Sequence, residues 1–480
     1  MQPFQPKQPE TPVPVPQSTA EPPDTFNPIE QPEQQRTVPT PENNHPPLRQ
    51  RIRTRLSPDW VTRDMRLLLA ARAFMSAGRA LAGIIVPIYL ALIGYSALTL
   101  GTLFVVVAIT SAVLSGITGL LSDRFGRKPF IVILPWFAAL AAFVFAFSHV
   151  EAILFVFAAL GSFGRGAGAG AGMIGPYQPA EQAFLADNVP ARHRNTLFGW
   201  IAFASSLGAL IGTGPLTILP IALASIGLLH LQGLASYQLE FLIMAALALI
   251  AGLLAVPLTE TRRTPPKVAQ SSSATLKRIR APRLPRLNIS SQSWAILLRL
   301  WATNSVNGLA VGFFGPFITY WFFRRYGAGP EAIGLLFSLI NLAAMVSNLW
   351  AARFAKRLGL VRAIVVSRTF QAILIIPMVL APTFWLAGAF YLVRMMAQRM
   401  GLPLRQSYVM GVLPPEERGT VGALANLPAQ ITSAMSPALA GYLFDSVSLA
   451  LPFEIGAILQ GLNVIMFFLF FRKLLPPEEQ

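Results

Sequence analysis

The sequence predicts an all-α membrane protein: twelve transmembrane helices in two six-helix bundles related by a parallel internal repeat. Three observations predict it. Charged residues are 12% of the 480-residue chain and apolar residues 54%; the charged share is about half that of soluble proteins, too little to clothe a water-soluble surface. From about residue 66 onward, apolar runs recur at about the 20-residue length that crosses a bilayer. Finally, motifs of the first half return in the second.

The chain begins with a segment that breaks this pattern. Residues 1–47 are rich in Pro, Gln, Glu and Thr, and such a composition cannot bury enough apolar area to offset its ordering entropy. No apolar stretch with a cleavage site marks it as a signal peptide. Arg49, Arg51, Arg53 and Arg55 follow, a basic run suited to anionic lipid. Residues 1–58 are therefore expected to be a disordered, Pro-rich, basic tail.

The spans are expected near 67–93, 99–121, 129–149, 152–174, 196–218, 238–258, 294–322, 331–352, 361–381, 383–400, 419–442 and 449–471. Between the fifth and sixth, residues 218–237 are apolar but broken by Pro220 and Gly227; they extend the fifth helix or form a hairpin. The domains follow: a first bundle over 59–258, a basic, Ser- and Pro-rich linker over 259–293, a second bundle over 294–473, and a terminus over 474–480.

Basic residues fall on one side of the predicted topology. Arg124, Arg127, Lys128, Arg192 and Arg194 lie there, with the run from Arg262 to Arg286, then Arg353, Lys356, Arg357, Arg362, Arg405, Arg418, Arg472 and Lys473. The other side has Arg324 and Arg325. Cytoplasmic loops collect Lys and Arg, so both termini are expected in the cytoplasm of a multi-pass cell-membrane (inner-membrane) protein. The same asymmetry accounts for the net charge of +17 without a nucleic-acid partner. With no cysteine and four histidines, the chain offers no thiol chemistry and no metal-ligand spacing.

The repeat is legible residue by residue. Pro179, Gln182, Pro190, Arg194 and Thr196 return as Pro403, Gln406, Pro414, Arg418 and Thr420, each 224 residues later. Gly83-Ile-Ile-Val-Pro87 is answered by Gly312-Phe-Phe-Gly-Pro316, 229 residues later. A parallel six-helix repeat is a transporter architecture, in which two bundles rock about a site near the midplane.

The sharpest motif is the loop between the second and third spans, Gly119-Leu-Leu-Ser-Asp123-Arg124-Phe-Gly126-Arg127-Lys128-Pro129. Its glycines permit a tight turn, and an acid beside three bases forms a network that one packing makes and another breaks. The loop resembles the G-x-L-a-D-R-x-G-R-[KR] signature of the major facilitator superfamily, a resemblance that extends over roughly residues 60–475. Its second-half counterpart, Arg353-Phe-Ala-Lys356-Arg357-Leu-Gly359, has a lysine where the acid would stand. Arg165 ahead of a glycine run, and Gly208 to Pro215, resemble elements of the proton-antiporter branch. The resemblance implies alternating access, with Gly119, Asp123, Arg124, Gly126, Arg127 and Lys128 as a conformational switch.

A charge at mid-membrane depth is a functional hypothesis by default. Arg79, Arg165 and Arg394 are candidates for binding substrate, with Asn304, Asn307 and Gln398 as hydrogen-bonding partners. Arg72, Arg299 and Arg399 are expected to snorkel toward the interface. Glu181 and Asp123 are the candidate proton-coupling groups, while Glu240 and Glu454 are expected near outer helix ends.

The glycine run contains a literal G-x-G-x-x-G at Gly170, Gly172 and Gly175, but no βαβ context surrounds it. Gly164, Gly168 and Gly172 recur every four residues and suit close helix packing in lipid. The expected activity is secondary transport of a small organic solute, proton-coupled export or antiport. The alternative is exchange or import of an organic anion held by arginines. A nucleotide-dependent enzyme lacks its phosphate loop here, and a non-transporting scaffold does not explain the switch loop. The expected partners are the solute, a proton and the bilayer, with no cofactor, metal or nucleic acid, and the chain is expected to act as a monomer.

Overall fold

The computed structural model describes residues 61–163, 175–187, 189, 193–226, 233–259, 290–414, 417–472 and 474. The expected tail over 1–58, nearly all of the linker, most of the C-terminus and Arg165 lie outside the described residues. Of Asp123, Arg194, Arg353, Lys356 and Arg418 only the backbone is described.

Helices dominate, and no strand occurs among the described residues. In the first half they are α1 (Arg63–Leu92), α2 (Ala97–Phe125), α3 (Lys128–Phe147), α4 (Glu151–Gly161), α5 (Gln178–Asp187), α6 (Arg194–Thr213), α7 (Pro215–Ser225) and α8 (Leu234–Ala255). The second half contributes α9 (Ser291–Phe314), α10 (Ile318–Tyr326), α11 (Pro330–Leu358), α12 (Leu360–Ile373), α13 (Ile375–Leu380), α14 (Phe384–Val412), α15 (Arg418–Ala425), α16 (Leu427–Ser446) and α17 (Leu451–Phe471). Helix starts follow local chemistry. The hydroxyls of Thr62, Ser96 and Ser290 accept from Met65 N, Thr99 N and Ser293 N, satisfying donors that a helix start leaves free.

Nine of these segments, counting continuous pairs once, are long and apolar enough to cross a membrane. They fall at the expected first to third, fifth to ninth and twelfth spans. The expected tenth and eleventh positions carry α14 and α15–α16, which hold more polar residues. Their outward faces are as apolar as the core: Ile109, Val113 and Ile117 on α2 and Ile458, Leu462 and Ile465 on α17 are exposed. Such faces suit lipid rather than water.

Several expected spans prove to be broken. The fourth is not continuous over 152–174: α4 stops at Gly161, where Ser162 turns left-handed at φ 56°. Residues 164–174 lie outside the described residues, and α5 starts at Gln178, two residues after Pro176, since proline disfavours helical geometry in the residue before it. The seventh breaks between Phe314 and Ile318, at Gly315-Pro316, and the fifth at Gly214-Pro215. The apolar stretch after 218 extends the fifth span as α7 to Ser225.

The two halves meet at the end away from Arg63 and Phe471. There α2 packs against α16, and α6 and α7 against α11. A Cβ on Gly101 would overlap the Pro437 carbonyl oxygen, and one on Gly441 that of Ala97; backbones this close exclude any larger residue. Phe104 meets Phe317 edge-on at 5.4 Å, and Thr213 Oγ1 lies 3.1 Å from Ser338 Oγ. These contacts gather at the N-terminal end of α2 and the C-terminal half of α16. The molecule is sealed at one end.

Within the first half, α1 and α6 form the tightest seam. Gly208 and Gly212 lie directly on the carbonyl oxygens of Ala73 and Ala77. Gly212→Val is expected to lower the melting temperature of the detergent-solubilised protein, because overpacking costs about 1–3 kcal/mol. Gly199→Val, where a Cβ meets nothing within 4 Å, is expected to change it little. Equal melting shifts for the two would contradict this packing.

Candidate functional site

The interior of the first half is organised by two arginines seven residues apart on α1. Arg72 does not snorkel: it is 1% exposed and forms an ion pair with the equally buried Glu181 of α5. Its Nε donates to Ser205 Oγ of α6 at 2.9 Å and its Nη1 to the Tyr177 hydroxyl at 3.5 Å. The expected reach to the interface fails because Glu181 supplies a counter-charge inside the bundle, where an unpaired charge is costly.

Arg79 lies two turns deeper. Its guanidinium sits 5.1 Å from the Tyr177 ring, while that of Arg72 is 5.7 Å from the same ring. Tyr177 therefore lies between two cations, an arrangement favoured by its π face. A Cβ at Gly175 would overlap the Arg79 guanidinium, so a larger residue there would displace that side chain. Arg79 Nε and Nη1 and Arg72 Nη2 are buried without a hydrogen-bond partner among the described residues. Together the three charged groups are two cations and one carboxylate. Beside them is a cavity of about 10 Å³ lined by Met75, Pro135, Tyr177 and Glu181 among others.

In the second half Arg394 of α14 is buried with its guanidinium 4.3 Å from the Phe314 ring. Its Nη2 donates to Gln460 Oε1 at 3.4 Å, and Gln460 Nε2 donates to Asn307 Oδ1 at 3.4 Å. Arg394 Nε has no partner among the described residues. The structure thus brings Arg394 and Asn307 into one chain through Gln460. Asn304 is placed differently: its amide donates to the Ala425 carbonyl at the α15–α16 break. Gln398 is half-buried on α14.

Other residues depart from sequence expectation. Arg299 is exposed and Arg399 half-buried, its Nε buried without a partner among the described residues. Glu240 is 3% exposed with Oε2 unpartnered among the described residues; it lies near an outer helix end but not in solvent. Sequence reasoning passed over Tyr177, Ser205 and Gln460. It also passed over Arg368, which donates to Asn463, which in turn donates to the Thr303 carbonyl. Gln460 and Asn463, three residues apart in the apolar middle of α17, were the available signal for the second-half pair.

The switch loop is resolved in backbone. Gly126 closes α2 at φ 95°, a conformation that favours glycine. Ser122 Oγ donates to the Gly119 carbonyl at 3.2 Å, a Cβ added at Gly119 would come within 4.0 Å of Pro179 of α5, and α2 packs on α5. The loop therefore touches the same short helix that carries Glu181.

A family model described as Major Facilitator Superfamily matches residues 68–303 and 300–480. Quinolone resistance protein NorA of Staphylococcus aureus (strain MSSA476) is 21% identical over 384 residues, which are 80% of this chain and 90% of that protein. An uncharacterized membrane protein of Saccharomyces cerevisiae is 21% identical over 403 residues, 80% of this chain and 89% of its own. Among solved structures, a bacterial homologue of the human lysosomal transporter Spinster, inward-facing and unoccupied, superposes with a TM-score of 0.63. It has 13% identity and covers 87% of this chain and 98% of that one. A bacterial homologue of the iron transporter ferroportin, also inward-facing, gives 0.62 at 17% identity, covering 85% of this chain and 98% of that one. At these identities the structural likenesses speak for the fold alone.

Removing one partner of a buried ion pair costs about 3–5 kcal/mol, whereas replacing both with apolar residues costs far less. Arg72→Met or Glu181→Met alone is therefore expected to depress the melting temperature sharply, and the double variant to recover most of the loss. A double variant as unstable as the sum of the singles would contradict the pairing.

Proposed function

Because the chain belongs to the major facilitator superfamily, we propose that this multi-pass membrane transporter exports a small organic solute in exchange for protons, by alternating access. The carrying observation is the buried Arg72–Glu181 pair beside the incompletely bonded Arg79. Ionised, the pair presents a fixed polar surface to a solute. A proton on Glu181 removes the carboxylate charge, frees Arg72 and reshapes that surface, so solute and proton compete for one site. Export is supported by the likeness to a protein named for quinolone resistance. The sealed end is read as the outer one from the basic residues on the termini side, with both termini in the cytoplasm. Arg79 and Arg394 are read as substrate-binding residues, and the Gly119–Lys128 loop as the switch.

A second reading has its own observation. Arg79 and Arg394 are buried cations without a directly bonded acid among the described residues, which suits an anionic solute. The acidic group of that solute would replace Glu181 at Arg72, and Glu181 would take up a proton. Solute and proton would then move in the same direction.

Proteoliposomes with an imposed proton gradient and a panel of organic solutes separate the two. The first reading expects solute to move against the proton flow, and Glu181→Gln to abolish the gradient dependence while leaving downhill exchange. Movement with the proton establishes the second, and anion flux indifferent to the gradient overturns both. Asp123→Ala is expected to slow transport by about tenfold or more, on the order of 1.4 kcal/mol, with little change in melting temperature. Near-normal flux would remove Asp123 from the switch.

A further inference from the structure

The sealed end carries a polar contact that the exchange chemistry does not use. The first turn of any helix has N–H donors without intrahelical partners. In α2 the Ser96 hydroxyl accepts from Thr99 N at 3.1 Å. The donors of Ala97 and Leu98 are taken by a residue of the other half: Asp445, near the C-terminal end of α16. Its Oδ1 accepts from Ala97 N at 3.0 Å and its Oδ2 from Leu98 N at 2.7 Å. Both bonds are charge-assisted, and the carboxylate sits at the positive end of the helix dipole.

The surroundings make this contact conditional on closure. Gly441, one turn before Asp445, lies on the Ala97 carbonyl, and Gly101, one turn into α2, lies on Pro437. The neighbouring Phe444 ring meets Phe317 at 5.0 Å and Tyr320 at 6.1 Å, and Phe317 meets Phe104. Separating α2 from α16 at this end therefore parts the aromatic plug and strips the carboxylate from both donors together. No partner within its own half reproduces this pair of bonds, since the donors belong to α2.

We infer that Asp445 is a gating residue: its carboxylate caps α2 across the two halves, latches this end shut, and lets go when the end opens. The inference rests on the reading of this end as the outer gate of an alternating-access cycle. The latch biases the resting protein toward the closed outer end, so weakening it raises the share of molecules open to the outside without touching the buried arginines.

The chain has no cysteine, so one introduced thiol reports on opening. Ser338→Cys places it at the other crossing, where Ser338 is 8% exposed against Thr213, clear of Asp445. Membrane-impermeant maleimide is added from the outer side of oriented proteoliposomes. Asp445→Asn and Asp445→Ser are expected to speed labelling about fivefold or more, in line with the loss of charged hydrogen bonds. Asp445→Glu, which keeps the charge, is expected to stay nearer the parent rate. All variants are first matched for melting temperature and expression; if Asp445→Asn misfolds, the comparison of Asp445→Ser with Asp445→Glu carries the test. Labelling that is unchanged in the uncharged variants, yet rises in the parent during solute turnover, overturns the latch and leaves the gate intact. A thiol that labels at no stage in a transporting parent overturns the gate reading, and the latch with it.

Discussion

The first half of this protein is built around one buried ion pair. Arg72 and Glu181 are 109 residues apart in the chain, and their pairing fixes α5 against α1. That placement sets Tyr177 between Arg72 and Arg79, and it brings Gly175 against the Arg79 guanidinium. The switch loop at Gly119 then touches α5 through Pro179. A proton on Glu181 would thus act on a site residue, a helix position and a loop contact at once. A buried pair contributes little net stability relative to apolar packing, which points to a functional reason for its presence.

The two halves handle buried charge differently. In the first, a carboxylate offsets one of two arginines. In the second, Arg394 and Arg368 are held by neutral amides, Gln460 and Asn463, and by aromatic rings at 4.3 and 5.1 Å. On the proposed reading, protonation chemistry would centre on the first half, while the second would contribute positive charge. The sealed end joins the halves through backbone contacts at glycines and through hydroxyls, contacts that two rigid bodies can make and break without repacking their cores.

Much of the architecture was legible in the sequence, because spans and repeats are written in local composition and spacing. Pro87 and Pro316, or Pro179 and Pro403, needed no tertiary information. Helix breaks were harder. Gly315-Pro316 carried a recognisable signal, but the stop at Ser162 lies in a run apolar enough to continue. The site was half legible. Depth along a helix marked Arg79 and Arg394, since position in a span is a local property. It misassigned Arg72, because whether an arginine snorkels or stays depends on a counter-charge contributed by a distant helix. Spacing reveals a helix face but not what packs against it, so Tyr177, Ser205 and Gln460 went unnoticed. Arg165 and the Asp123 side chain remain sequence expectations, lying outside what the structure describes.

The central claim is that solute and proton meet at Glu181. Proton release on solute binding tests it most directly, measured with a pH indicator in weakly buffered detergent solution across the solute panel. At a pH low enough to protonate Glu181 in the free protein, the account predicts release of up to about one proton per solute bound by the parent protein and none by Glu181→Gln, with binding retained in both. Undiminished release from the Glu181→Gln protein would place the coupling group elsewhere and contradict the account.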